Sequence, residues 1–166
     1  DRTIDGVQIR SFITTQSVKQ LPEYLKEFAL DPEGWHLPGS SETFCLDEID
    51  EEADYHKIFY KDRWIKEDLS QRKIKNGAKP LEQHLIVSFS PKYKNYQRKI
   101  RKGQIDRAQK LIDSGNYKQR PKNQNDPHRF IVREKATKDG EICSEELVYL
   151  DTDAILEEER YDGYIQ

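Results

Sequence analysis

Apolar residues recur along this chain in two rhythms, a strand-like one and a helical one. Leu85–Ser90 (LIVSFS) is a short apolar run with β-branched content and is the clearest strand signal. Val7–Thr15 (VQIRSFITT) and His56–Lys66 (HKIFYKDRWIK) share its β-branched and aromatic character and predict two more strands. Between those two, Leu21, Leu25, Phe28 and Ala29 fall at helical spacing within Ser17–Leu30, with Pro22 near the helix start. Asp31-Pro32-Glu33-Gly34 predicts a turn. Thr43–Leu46 predicts a short strand, Asp47–Tyr55 is acidic and ambiguous, and Lys73–Pro80 reads as a loop.

The second half opens on Ser90-Pro91, a hydroxyl N-cap followed by proline at the first helical position. The helix predicted from there, 91–114, carries Tyr93, Tyr96, Ile100, Ala108, Leu111 and Ile112 as its apolar face. Gly103 interrupts it, at a cost of about 1 kcal/mol relative to alanine, and Gly115 supplies a stop. Asn116–His128 reads as a basic loop rich in Pro and Asn. Phe130–Lys135 and Glu141–Leu150 read as strands around a Lys138-Asp139-Gly140 turn. An acidic helix over Asp151–Arg160, capped by Asp151 or Thr152, leads to a last strand that begins at Tyr161. No internal repeat is visible. The mixture predicts an α/β (α+β) fold class.

Composition narrows the picture. A chain of 166 residues can form one domain, but 34% of it is hydrophobic and 36% charged, against roughly 25% charged in an average domain. With a mean hydropathy of -1.00, the core must be thin, and nine Tyr and six Phe must help to fill it. This suits a surface-exposed domain, an elongated module or a piece of something larger. The sequence has no apolar run near the ~18 residues that cross a membrane, and no secretory signal pattern. Cys45 and Cys143 match no metal or redox motif, so free buried thiols of a reducing cytoplasm are the default expectation, with a disulfide as the alternative. Methionine is absent, even at position 1, which leads to the expectation of an excised segment or of a start that is not shown.

Charge changes the picture most. Lys92, Lys94, Arg98, Lys99, Arg101, Lys102, Arg107, Lys110, Lys118, Arg120 and Lys122 are opposed between 92 and 122 only by Asp106 and Asp113, a local charge of 11 - 2 = +9. Nine acids and no Lys or Arg occupy Asp31–His56, and ten acids with Arg160 alone occupy Asp139–Asp162. The net charge of -3 thus conceals acidic, basic and acidic blocks in sequence. A concentrated basic block points to a polyanion, of which nucleic acid is the commonest. The competing reading is that the blocks are solvated faces that pair with each other inside one fold.

Candidate chemistry beyond phosphate binding is sparse. Tyr93 and Tyr96 interleave with Lys92, Lys94, Arg98 and Lys99, so their rings either stack on bases or pack in the core. Asp47, Glu48, Asp50, Glu51, Glu52 and Asp54 supply hard oxygen ligands but lack the spacing and the turn glycine of a calcium loop, which favours a solvated face. His36, His56, His84 and His128 are scattered and have no Cys or His at ligand spacing, so each reads as a surface or half-buried histidine. There is no phosphate-binding glycine loop, no G-x-S-x-G elbow and no Cys/His signature. The residues alone show no active site and no metal site.

Several phrases in order carry a family resemblance: SFITTQSVKQLPEYLKEFALDPEGW, LIVSFSPKYKNYQRKIRKGQIDRAQKLIDSG, NDPHRFI and LDTDAILEEERYDGYI. Over nearly its whole length the chain resembles bacterial insertion-sequence transposases of the DDE type. The resemblance implies an RNase H-like catalytic domain with a mostly β insertion, of which this chain is an internal, incomplete part. It implies residues 1–30 as the tail of the catalytic fold, 31–158 as the insertion with the basic helix 91–114, and 159–166 as a strand returning to the catalytic sheet. In that family three acids hold two divalent metals, Mg2+ or Mn2+, for in-line attack on phosphodiesters. The resemblance places the second Asp before Asp1 and the Glu, with its Tyr-Arg-Glu-type signature, after Gln166. No catalytic residue is therefore assigned; Asp1, Asp5 and the Asp162 of YDGYI match no member of the triad.

What the resemblance implies for function is DNA transposition, with this segment binding transposon ends through the eleven cations named above. A homodimer in a synaptic complex and a cytoplasmic, nucleoid-associated location follow as expectations. Two other classes stay open. One is a non-catalytic nucleic-acid-binding remnant or regulatory module, and the other is a protein-interaction domain with paired charge blocks. Reversing the charge of Lys94, Arg98 and Arg101 is the variant the sequence suggests to separate them.

Overall fold

Alternating side chains build the longest strands of the computed structural model, which describes residues 2–4, 7–9, 15–66, 82–123, 125–138 and 141–165. β1 (Arg2–Ile4) and β2 (Val7–Ile9) form a small antiparallel pair. Of the strand expected over Val7–Thr15, residues 10–14 lie outside the described set, as does the loop expected over 73–80. A 3-10 turn, Val18–Gln20, precedes α1 (Glu23–Leu30), which starts directly after Pro22. β3 (Trp35–His36), β4 (Thr43–Phe44), β5 (Phe59–Lys66) and β6 (Glu82–Phe89) follow. Next come α2 (Pro91–Asp113), β7 (Ile131–Lys138), β8 (Glu141–Leu150), α3 (Thr152–Glu159) and β9 (Tyr164–Ile165). The class is mixed, helices with antiparallel sheets, as the alternating and helical rhythms indicate.

The central sheet runs β4-β3-β5-β6-β9, and every pairing in it is antiparallel. β5 and β6 hold register from Phe59↔Phe89 to Lys66↔Glu82. That register turns Phe59, Lys61, Val87 and Phe89 toward the core and Tyr60, Asp62, Trp64, His84 and Ile86 to the other face. The core gathers Val18, Leu21, Leu25 and Ala29 from the N-terminal helical segment, Trp35, Phe59, Val87 and Phe89 from the strands, and Tyr164 from β9. Residues from all three segments expected from the sequence, 1–30, 31–158 and 159–166, thus share one core. Its aromatic rings meet edge-on or tilted. Trp35 lies 6.0 Å from both Phe89 and Tyr164, and Phe89 lies 5.5 Å from Tyr164.

A lysine completes this core. Lys61 is 3% exposed, yet its Nζ donates to the carbonyls of Asp31, at 2.7 Å, and Glu33, at 3.2 Å. It also sits 4.8 Å from the Phe28 ring and 5.0 Å from that of Trp35. Burial pushes the ammonium below its usual pKa range. The 31–34 turn expected from Asp-Pro-Glu-Gly is tied to the sheet by these two bonds, with Gly34 at φ 79°.

The apolar face expected on α2 is not what anchors it. Of Tyr93, Tyr96, Ile100, Ala108, Leu111 and Ile112, only Ala108 is buried; Tyr96 is 59% exposed and Ile100 44%. Gln97, Arg101, Gln104 and Ala108 form the inward stripe, at steps of four, three and four residues. Gln97 Oε1 accepts the Gly163 N–H at 2.7 Å, and Gln104 Oε1 accepts from Arg129 at 2.7 Å. Arg129 also forks onto Glu158 of α3 at 3.0 and 3.1 Å. The helix is held by polar bonds, which a reading of apolar periodicity does not detect.

Gly163 joins α2 to the sheet. Its carbonyl accepts the Ser90 N–H at 2.8 Å, and its φ is 90°. A Cβ there would stand 2.4 Å from the Phe89 ring and 3.0 Å from Lys94 Cβ. Gly163→Ala combines that overlap with a left-handed backbone, and it is expected to destabilise the fold by about 1–3 kcal/mol. A urea midpoint equal to that of the parent chain would show that the site relaxes freely.

Candidate nucleic-acid interface

Ser90 starts α2 as its sequence suggests. The hydroxyl accepts the Tyr93 N–H at 3.4 Å, and Pro91 takes the first turn. At the other end Gly115, with φ 73°, closes the helix as anticipated. In between, the periodicity of the helix sorts its cations into three groups.

Arg101 belongs to the interior. It is 5% exposed, and its guanidinium grips the carboxylate of Asp162, itself 5% exposed. Nη1 donates to Oδ1 at 3.0 Å and Nη2 donates to Oδ2. Burial raises the Asp162 carboxyl above its ordinary range, against the pull of Arg101. Arg101, expected among the DNA-contacting cations, thus lies buried with both terminal nitrogens on Asp162 and stands apart from the exposed cations. In a basic run a buried arginine and an exposed one look alike, so sequence alone groups Arg101 with its neighbours.

Lys94 and Arg98 form the second group. Both reach Glu51 in the acidic segment, at 2.6 and 3.1 Å. The Lys94 hydrogen bond holds the Glu51 carboxyl below its usual range, helped by Arg98. The acidic and basic blocks thus do pair inside the fold, as the competing reading held, but at selected residues. A charge reversal at Lys94, Arg98 and Arg101 strikes the three cations engaged internally, so it tests folding and not binding.

The third group is exposed. Lys92, Lys99, Lys102, Arg107 and Lys110 of α2, with Lys118, Arg120 and Lys122 of the following loop, form no side-chain ion pair among the described residues. Lys92, Tyr96, Lys99, Gly103, Arg107 and Lys110 follow steps of four, three, four, four and three, which places them on one stripe. The stripe runs roughly 27 Å at the α-helical rise. Asp106 is the acid that borders it.

The loop after α2 is pinned by Asp126. Its carboxylate accepts the N–H groups of Lys122 and His128, both at 3.0 Å, which push its pKa down to about 2. His128 Nδ1 lies 2.7 Å from the same carboxylate. Arg133 of β7 donates to the Lys118 carbonyl at 3.2 Å. The three loop cations are therefore carried on a bonded turn.

Beside the start of the stripe lies a groove of about 440 Å³ between the 51–56 turn and α2. Tyr55, Tyr93, Asn95 and Tyr96 line it, with Lys92 and Lys99 at its edge. The rings of Tyr93 and Tyr96 stack at 6.2 Å and 21°, and neither tyrosine enters the core. Asp50 folds the acidic turn back on itself by accepting the Glu52 and Ala53 N–H groups. Among the described residues no group of three or more His, Cys, Asp or Glu is placed to hold a metal ion.

A stacked pair on the outer face of the sheet has no counterpart in the sequence reading. Trp64, 67% exposed, stacks on His84 at 4.5 Å and 3°, and His84 Nε2 lies 2.5 Å from Asp62. Period-two alternation from Phe59 is the available signal, since it puts Trp64 opposite the core face. The remaining histidines are half-buried or exposed, as their scattered positions suggest.

No protein-family model matches the chain, and neither a curated protein nor a solved structure matches it at a significant level.

Two outcomes follow from this division of the cations. Asp162→Ala strands a buried guanidinium and is expected to cost about 3–5 kcal/mol, whereas Arg101→Met with Asp162→Leu should be near neutral; chemical denaturation of both variants decides. Glu51 has its folded pKa below the unfolded one, so its stabilising effect is present above the ordinary 4.5 and is lost as pH falls through the folded value. The stability gap between the parent and Glu51→Gln should therefore narrow below pH 4.5, as read by urea midpoints across an acid series. A constant gap would remove the ion pair as its cause.

Proposed function

We propose that this chain is an internal part of a DDE-type transposase and that it binds transposon DNA through the exposed face of α2 and the loop after it. The observation that carries the reading is the set of eight exposed cations without acidic partners among the described residues. The fold neutralises Lys94, Arg98 and Arg101 and leaves Lys92, Lys99, Arg107 and Lys110 aligned on one helix face, with Lys102 beside it and Lys118, Arg120 and Lys122 on the adjoining loop. Duplex DNA carries one charge per ~1.7 Å and rewards such an array by counterion release. The order of the phrases LIVSFSPKYKNYQRK, NDPHRFI and LDTDAILEEERYDGYI supplies the transposase reading itself.

On this reading the parent domain is RNase H-like and the residues from 31 to 158 are its insertion. The family's divalent metals find no donor set among the described residues. Asp162, the acid of the family-like phrase, has both oxygens engaged by Arg101. On this reading the work of these residues is to bind and orient DNA, in the cytoplasm at the nucleoid, within a dimeric synaptic complex. No helix among the described residues is long and apolar enough to cross a membrane.

The protein-interaction reading draws on the Glu51 pair with Lys94 and Arg98. That pairing lies within one chain, however, so it gives no support of its own to a contact between subunits.

The purified chain should bind duplex DNA with a steep salt dependence and should not nick supercoiled plasmid with Mg2+ or Mn2+. Replacing Lys99, Arg107 and Lys110 by Gln should lower the slope of log K against log salt by about 0.9 for each phosphate no longer neutralised. Absence of duplex binding at low salt would refute the binding role, and metal-dependent nicking would refute the placement of the catalytic acids elsewhere.

A further inference from the structure

The stripe of exposed cations on α2 has a gap at its middle. Gly103 occupies it, half-buried, between Lys99 one turn before and Arg107 one turn after. The fold gives no reason for a glycine there. Its φ is not in the left-handed region, and an added Cβ would meet no heavy atom within 4 Å. Alanine would fit and would hold the helix better. Gly163 is the contrasting case, where the fold itself fills the space a side chain would need.

The surroundings of the gap have a definite chemistry. Lys99, Lys102, Arg107 and Lys110 all lie within about two turns of Gly103, and none forms a side-chain ion pair among the described residues. Removing the side chain at the centre leaves bare backbone between two long cationic arms. A glycine in that setting permits another chain's backbone to come close. Asp106 stands at the Lys102 side of the stripe and leaves the line from Lys99 to Arg107 clear. Those two residues stand about 12 Å apart along the helix.

We propose that Gly103 is the point at which one sugar–phosphate strand of a DNA duplex crosses α2, with Lys99 and Arg107 holding phosphates on either side of it. The inference rests on the DNA-binding reading above and adds the place and manner of approach. The glycine sets how closely the strand lies, and the flanking cations supply the attraction. Helix stability is given up at 103 in exchange for that approach.

A size series at position 103 in the full 166-residue chain tests this. Gly103→Ala should raise the Tm, since alanine favours helix and its Cβ would meet no heavy atom within 4 Å. Affinity for a short labelled duplex at low salt should fall in the order Gly, Ala, Leu. The leucine variant should bind roughly tenfold more weakly or worse, the worth of one good protein–DNA interaction. Lys99→Gln and Arg107→Gln should then cost less in the leucine background than in the parent, because the strand is already held away. A higher Tm with unchanged or tighter binding overturns the proposal, as do effects of Lys99→Gln and Arg107→Gln that are independent of residue 103. A lower Tm overturns its premise that the fold leaves the space open. If the parent chain itself fails to bind duplex, the DNA-binding reading fails first, and the series does not enter.

Discussion

The buried pair of Arg101 and Asp162 is the interaction on which the rest of the structure turns. It joins the middle of α2 to the turn before β9, 61 residues away in sequence. Desolvating two charges is costly, and the geometry recovers the cost only because both guanidinium donors meet both carboxylate oxygens. Around it, Gln97 takes the Gly163 N–H and Gly163 takes the Ser90 N–H, so polar bonds align one helix with one short strand. This inward polar stripe fixes the rotation of α2 about its axis. That rotation in turn decides which cations face water.

The same rotation explains how a chain of net charge -3 can present a strongly basic surface. Acidic residues are spent where they meet cations of the interior or the rim: Glu51 on Lys94 and Arg98, Glu158 on Arg129, Glu146 on Arg133. Surface pairs of this kind add little stability one by one. Their effect is on the field, since they cancel some positive charges and leave others unopposed. The basic face is thus drawn by subtraction, through the pairing of a minority of the cations.

Much of the scaffold was legible in the sequence because local chemistry and final structure agree. Ser90-Pro91 caps a helix, Gly115 ends it, Asp151 caps the next one through the Ala154 N–H, and the run Leu85–Phe89 is a strand. The basic stretch was equally plain. Its division was not, because nothing in the order of Lys and Arg distinguishes Arg101 from Lys99 or Lys102. That distinction depends on Asp162, a partner brought near only by the tertiary fold. The apolar face expected on α2 fails for a related reason. Apolar periodicity points to Tyr96 and Ile100, whereas the buried stripe is Gln97, Arg101, Gln104 and Ala108. The two-residue strands β3 and β9 are also set by their partners, Phe44 and Tyr60 for β3 and Phe89 for β9, more than by their own residues.

The distance in sequence between Arg101 and Asp162 has a temporal side. At synthesis rates of roughly 5–20 residues per second, Arg101 is made about 3–12 s before Asp162. Local helix formation takes microseconds or less, so α2 can form and melt many times while its anchoring acid does not yet exist. During that interval Arg101 is one more solvated cation, and the helix has no fixed inner side. The basic surface therefore acquires its orientation only after the helix that carries it has formed.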